Sequence, residues 1–315
     1  MRLVTGNEAV PSGRRAAVSS GKVFLVGAGP GDPELLTLKA LRVLEEADVV
    51  LHDRLVSQEI IRMADSAAIL IDVGKRPGGP GNSQDRINST MLTYVALGKT
   101  VVRLKSGDPL IFGRGGEEWE YLRRHNIEVE FVPGITSATS VPGVAGIPLT
   151  QRGVAESFAV ITGHKENGSM PEWSRYAEID TLVILMGVRR RSAIARSLIA
   201  TGRSPDEPAA FIQRGTTSDE RVLVTNLGEI AAETVAVQAP AILVVGHVVE
   251  LRAALASRVQ VSASGRHLDA VPQVVSDMLG DCRPAGEHSE SRPTAVAGRK
   301  DRSKWQPSTT GLRGA

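Results

Sequence analysis

Two glycine loops and one acid–base pair are the parts of this 315-residue chain whose residue types and spacing could do chemistry. The first loop, Gly27-Ala28-Gly29-Pro30-Gly31-Asp32-Pro33, follows directly on the apolar run KVFLVG. A strand, a glycine turn and a helix start in that order let a ligand approach the backbone closely. The second, Ser106-Gly107-Asp108-Pro109-Leu110-Ile111-Phe112-Gly113-Arg114-Gly115-Gly116, repeats glycine with Asp-Pro after TVVRLK. The first loop reads G-x-G-x-G-D, not the G-x-G-x-x-G of a dinucleotide site, although Asp53 stands where such a site places its ribose-binding acid. Asp32, backed by Pro33, suits a helix N-cap. A carboxylate there competes with a pyrophosphate for the same N–H groups. Neither loop carries the Lys-Ser/Thr of a phosphate-binding loop. Two such loops fit a ligand without phosphate, for example an adenosyl cofactor carrying an ammonium and a sulfonium. The alternative is that both acids only cap helices.

Asp53 follows the run VVLH, and Lys75 follows AILIDVG. At the carboxyl ends of parallel strands the two would stand on the rim where ligands bind, one able to accept a proton and the other to donate it. The plainer reading is an ordinary surface acid and base. His52 and His164 could also titrate, but six histidines without carboxylates at ligand spacing do not make a metal site. Arg54, Arg76, Arg103, Lys105, Arg114 and Arg152 surround these segments. Gathered by the fold they would suit a substrate with several carboxylates; taken singly each reads as a solvated surface residue.

Positioning such residues requires strands that end together. From Lys22 to about Leu255, apolar runs of strand length alternate with segments of helical period. KVFLVG, ADVVLHD, AILIDV, TVVRLK and EVEFV supply the first half, and FAVITG, TLVILMG, PAAFIQ, RVLVT and AILVVG the second. Their near-continuous apolar character predicts strands buried on both faces, in parallel βα units. The expected fold is α/β, with two tandem α/β domains over residues 21–133 and 134–256. They meet at Val132-Pro133-Gly134, where Pro-Gly interrupts the pattern. Aromatic residues are only 3%, so Val, Leu, Ile and Ala must build the core. Residues 1–20 read as a flexible leader and 257–315 as a solvated, disordered tail in which basic residues outnumber acids. Within the tail Leu268, Val271, Val274, Val275, Met278 and Leu279 form one helical stripe.

Composition narrows the function classes. A net charge of +2 supplies no global polycation for nucleic acid. The single cysteine, Cys282, excludes an intramolecular disulfide and any multi-cysteine metal or iron–sulfur centre. No apolar run approaches the ~18 residues of a membrane span, and the first residues lack a hydrophobic signal core. The expected setting is cytoplasmic, without membrane or nucleic-acid partners.

Taken in order, VGAGPGDPELLTLKA, ADVVLHDRLVS, VGKR, RINSTMLTYVALGKTVVRLKSGDPLIFGRGGEE, VPGITSA, GIPLTQRG, TLVILMG, QRGTT and PAILVVGHVV resemble the tetrapyrrole methylase family. The likeness runs from about Lys22 to Leu255. It implies a cofactor cleft between two α/β domains, a homodimer, and S-adenosyl-L-methionine as methyl donor, leaving as S-adenosyl-L-homocysteine. The implied substrate is uroporphyrinogen III, methylated at C2 and C7 to precorrin-2 through precorrin-1 for sirohaem or cobalamin synthesis. With no dehydrogenase/ferrochelatase segment ahead of the motifs, a stand-alone enzyme is expected. The resemblance assigns cofactor contacts to Pro30, Ser106, Gly107, Asp108, Ile111, Thr136, Ser137, Met186 and Gly215. It assigns the proton acceptor to Asp53 and the donor to Lys75, and it implies no metal. Met186 would otherwise read as strand core. Ser106, Ser137, Gln151 and His52 depart from the family's familiar glycine, alanine, histidine and tyrosine.

Overall fold

The computed structural model describes residues 21–74 and 84–256. Lys75, Arg76, the leader and the tail with its apolar stripe and Cys282 lie outside the described residues.

The first half contains β1 (Lys22–Gly27), α1 (Leu38–Glu45), β2 (Val49–His52), α2 (Gln58–Ile61), β3 (Ile69–Asp72), α3 (Gln84–Ala96), β4 (Thr100–Lys105), α4 (Gly115–Arg124) and β5 (Glu128–Val132). The strands form one sheet in the order β3-β2-β4-β1-β5, parallel at every pairing. Alternate residues of each strand serve opposite faces. Val26, Val50, Val102 and Leu104 pack with α1 and α2, whereas Val23, Leu25, Leu51 and Val101 pack with α3 and α4. From β1 the chain passes through α1 to β2 on one side, and from β4 through α4 to β5 on the other. Adjacent β1 and β4 therefore leave the sheet in opposite directions, and such a switch point is where open α/β sheets bind ligands.

Along the β5 margin, Glu130 accepts from Lys22 Nζ at 2.5 Å and pairs with Lys39 Nζ at 2.7 Å. The hydrogen bond from Lys22, then that from Lys39, lowers its carboxyl to about 2. A depressed folded value stabilises the protein above the unfolded carboxyl range, and the benefit is lost as pH falls through the folded value. With a third of the side chain exposed, screening limits the effect to about 1 kcal/mol. Acid titration of urea midpoints should thus show Glu130→Gln losing less stability than wild type between pH ~4.5 and ~2. Parallel curves would dismiss the pair as a contributor.

The second half begins with α5 (Ser137–Val144) and continues through β6 (Phe158–Thr162), β7 (Thr181–Leu185), α6 (Arg191–Ala200), β8 (Pro208–Gln213), β9 (Arg221–Asn226), α7 (Leu227–Ala231), β10 (Ala241–Val245) and α8 (Arg252–Leu255). Its sheet runs β6-β7-β10-β8-β9. Only β6 and β7 pair in parallel; the remaining pairings are antiparallel. That corrects the expectation of parallel units in this half. Residues 214–220, between β8 and β9, can close a hairpin but are too few for a parallel crossover. Ala138 and Val141 of α5 are buried with Val183, Ala210 and Val244 on one face, while α6 and α7 cover the other. The segment leaving the first sheet thus packs directly into the second. Strands β3 and β9, at sheet edges, are not buried on both faces as expected.

Candidate active site

Backbone meets backbone where β1, β4 and β5 end. Gly29 and Gly107 exchange hydrogen bonds, Gly29 N–H to Gly107 O at 3.2 Å and Gly107 N–H to Gly29 O at 2.7 Å. Both hold φ near +70°, a region glycine enters without the Cβ penalty. A Cβ on Gly27 would lie 2.5 Å from Gly134 Cα, and one on Gly134 would lie 2.3 Å from Gly107 O. Gly107 in turn faces Ser137 N and Thr136 Cα. The second half closes the ring, since Asp32 N–H donates to Thr216 Oγ1 at 3.3 Å. A Cβ on Gly31 would stand 3.2 Å from Thr217 Cγ2 and 3.7 Å from Gly215 O.

The two acids of the loops differ. Asp32 does cap, accepting from Glu34 N–H at 2.9 Å ahead of a short 3-10 turn over Pro33–Leu35. Asp108 caps no α-helix: it accepts from Leu110 N–H at 2.8 Å and from Gly134 N–H at 3.1 Å, tying the loop after β4 to the loop after β5. Helix α4 starts further on, behind Arg114 at φ 61°. The reading that both acids are merely caps therefore fails for Asp108.

Of the nine proposed cofactor residues, Pro30, Ser106, Gly107, Asp108, Thr136 and Gly215 lie on the loops that meet here, and Ser137 opens α5 beside Gly107. Thr136 also caps α5, its Oγ1 accepting from Ala138 N–H. Ile111 and Met186 stand half-exposed on the loops after β4 and β7. Met186 is not strand core: it sits one residue past β7 at φ 56°. The carboxylates of Asp32 and Asp108 on these loops suit the ammonium and sulfonium of an adenosyl cofactor better than a pyrophosphate. Among the described residues no cluster of His, Cys, Asp and Glu could hold a metal ion, and no helix is long and apolar enough to cross a membrane.

Asp53 follows β2 on the same rim, its N–H bonded to Leu104 O at 3.1 Å. Its carboxylate receives a short hydrogen bond from Arg103 Nη2 and lies 3.6 Å from Lys105 Nζ. Arg103 and Lys105 are buried, which corrects their reading as surface cations open to a substrate. Behind them Glu118 of α4, fully buried, accepts from Arg103 Nε at 3.1 Å, Lys105 Nζ at 3.2 Å and Gln84 Nε2 at 3.0 Å. Burial works against the Arg103 charge, yet Glu118 and Asp53 outweigh it and hold the guanidinium above its ordinary range. For Lys105, burial comes first and the neighbouring Arg103 adds to it, pulling the ammonium down. Glu118 was missed in the sequence. Its signal was an acid between Gly115 and Leu122 on the buried stripe of α4, opposite two cations spaced two apart on one strand.

Arg54 and Arg152 are exposed. Arg114 is engaged by Glu117 at 2.6 Å, with Glu166 at 3.8 Å. The His52 ring packs inward, its Nδ1 3.4 Å from Asp53 O. Gln151 lies in an exposed turn.

Residues 22–231 match the family of Tetrapyrrole (Corrin/Porphyrin) Methylases. Uroporphyrinogen-III C-methyltransferase of Methanocaldococcus jannaschii is 47% identical over 237 residues, 74% of this chain and 98% of the relative. Siroheme synthase of Stutzerimonas stutzeri is 48% identical over 78% of this chain. The chain spans about half of that longer protein, 54% of its length. Among solved structures, uroporphyrin-III C-methyl transferase from Thermus thermophilus complexed with S-adenyl homocysteine is 46% identical. The match covers 73% of this chain and all of that one, with a TM-score of 0.67. Its two tandem α/β halves and its matched motifs alike place the chain in the tetrapyrrole methylase family.

Proposed function

We propose that this chain methylates uroporphyrinogen III with S-adenosyl-L-methionine, at C2 and C7, giving precorrin-2 through precorrin-1. The reading includes a homodimer in the cytoplasm, a product destined for sirohaem or cobalamin, and two domains divided between residues 133 and 134. The observation that carries it is the close main-chain packing of Gly27, Gly107 and Gly134, which brings the loops after β1, β4 and β5 together at the switch point.

When bound, S-adenosyl-L-methionine supplies a methyl group on a positively charged sulfur. Pro30, Ser106, Gly107, Asp108, Ile111, Thr136, Ser137, Met186 and Gly215 would hold it, the close backbone loops fixing its orientation by main-chain contacts. Fixed orientation is worth a large share of the barrier in a displacement. The serines at 106 and 137 are compatible with this, because main-chain packing and not a side chain brings the loops together. Asp53, with one flank held by Arg103 and Lys105, takes the pyrrole N–H proton on a carboxylate oxygen. Lys75 donates a proton or binds a substrate carboxylate. Arg54, exposed beside Asp53, and Arg152, exposed in the turn after α5, contact the acid side chains of the macrocycle.

Anaerobic incubation with uroporphyrinogen III and methyl-labelled S-adenosyl-L-methionine, read by mass spectrometry, should show a tetrapyrrole heavier by two methyl groups. Asp53→Asn should cut turnover on the order of 10²–10⁴-fold while leaving S-adenosyl-L-homocysteine affinity near wild type. No methyl gain despite cofactor binding would point to a later precorrin as substrate. Undiminished turnover in Asp53→Asn would remove that residue from the chemistry.

A further inference from the structure

The charged chain behind Asp53 is built more elaborately than helix packing requires. Its four members differ sharply in exposure: the side chains of Glu118, Arg103 and Lys105 are 0%, 2% and 4% exposed, and Asp53 is 31% exposed. Only the last can meet a substrate. Arg103 is pinned on several sides, donating from Nη1 to Leu51 O at 3.3 Å and Leu104 O at 3.2 Å, from Nε to Glu118 and from Nη2 to Asp53. Lys105 faces the second Asp53 oxygen and both Glu118 oxygens. Gln84, itself hydrogen-bonded to Asn88 Oδ1 at 3.3 Å, fixes Glu118 from α3.

We propose that Arg103, Lys105 and Glu118 are positioning residues for Asp53. The two cations grip its oxygens from the protein side, and Glu118 balances those cations so that the grip can exist in a buried place. The inference rests on the reading of Asp53 as proton acceptor. It goes beyond that reading by assigning the precision of the proton transfer to three residues that never touch substrate.

Two physical points favour positioning over mere cohesion. First, a well-packed apolar trio would join β4 to α4 as firmly as buried ions do, often more so. Charge in this place therefore suggests a task that needs charge. Second, the chain has a direction: it starts at the buried Glu118 carboxylate, passes through Lys105 and through Arg103, which backbone carbonyls hold, and ends on the one carboxylate that reaches the rim. A carboxylate hydrogen-bonded at one oxygen and paired with a cation at the other loses little freedom when the substrate arrives, which is the advantage of preorganisation.

The test is a double-mutant cycle in the full chain with Glu118→Gln, Asp53→Asn and both together. It reads kcat and KM for uroporphyrinogen III and S-adenosyl-L-homocysteine affinity by calorimetry. Glu118→Gln keeps the shape and the acceptor oxygen while removing the balancing charge. Alone it should lower kcat about 10- to 100-fold, with KM and cofactor affinity within about twofold. In the Asp53→Asn background it should change kcat by less than about twofold, because the group it serves is gone. Equal losses in both backgrounds, or a loss confined to KM or to cofactor affinity, would overturn the proposal and leave a structural ion cluster. Full turnover by Asp53→Asn alone would instead defeat the proton-acceptor reading on which it rests. Should Glu118→Gln not fold, Lys105→Gln enters the same cycle with the same expected pattern.

Discussion

Gly134→Ala should weaken binding of S-adenosyl-L-homocysteine about 10- to 100-fold, out of proportion to the single methyl group added. The new Cβ would meet Gly107 O at 2.3 Å and Gly27 Cα at 2.7 Å. Both neighbours are main chain on strand ends, so neither can rotate aside, and overpacking of this kind typically costs 1–3 kcal/mol before any ligand is considered. Relief requires the loops after β1, β4 and β5 to part, which would also break the hydrogen bond from Gly134 N–H to Asp108. Gly116→Ala is the matched control: it has no neighbour within 4 Å and lies inside α4. Alanine there should stabilise by roughly 0.5–1 kcal/mol through helix propensity and leave binding alone. Calorimetric titration of both variants against wild type decides the matter. A Gly134→Ala protein binding within threefold of wild type would show that cofactor binding does not depend on the close approach of these three loops.

Glu118→Leu should be among the most damaging single changes for stability, at about 3–5 kcal/mol, because it leaves two buried cations facing Asp53 alone. The comparison that gives the number meaning is the triple variant Arg103→Leu, Lys105→Met, Glu118→Leu. With all three charges gone no buried ion is stranded, and stability should recover to within about 1–2 kcal/mol of wild type. Urea midpoints with unchanged slopes would report both. A triple variant as unstable as Glu118→Leu would mean that the ions, and not only their mutual balance, hold α4 on the sheet.

All ten strands were legible as apolar runs, most of them because a strand covered by helices must be apolar nearly throughout, although the edge strands β3 and β9 are apolar without that cover. Their direction was not. Continuous apolar character reports burial and says nothing of polarity, and in the second half the deciding feature was the shortness of the chain between β8 and β9. Helix α5 carries a proline, Pro142, in its interior, a residue that ordinarily breaks a helix. It is tolerated in a helix of eight residues that is held by burial of Ala138 and Val141. At the site, the glycine loops and Asp53 were visible because each is local in sequence. The meeting of Gly27, Gly107 and Gly134 was not, being made across a hundred residues by strand order. Arg103 and Lys105 looked like surface groups because their partner Glu118 comes from the following helix, and only the fold reveals a pair of cations with a buried counter-ion.

The strand order has a consequence for how the chain is made. Within its sheet β1 is the first strand to leave the ribosome, yet its two partners are β4 and β5, the last strands of that sheet. Roughly 80 residues separate the end of β1 from the end of β4, or ~4–16 s of synthesis at common elongation rates. For that interval KVFLVG is an apolar segment with both hydrogen-bonding edges open, the kind that pairs with other chains. Nascent-chain yield should therefore depend on what shelters residues 22–27 until Lys105 emerges, and hardly at all on the stability of the finished sheet.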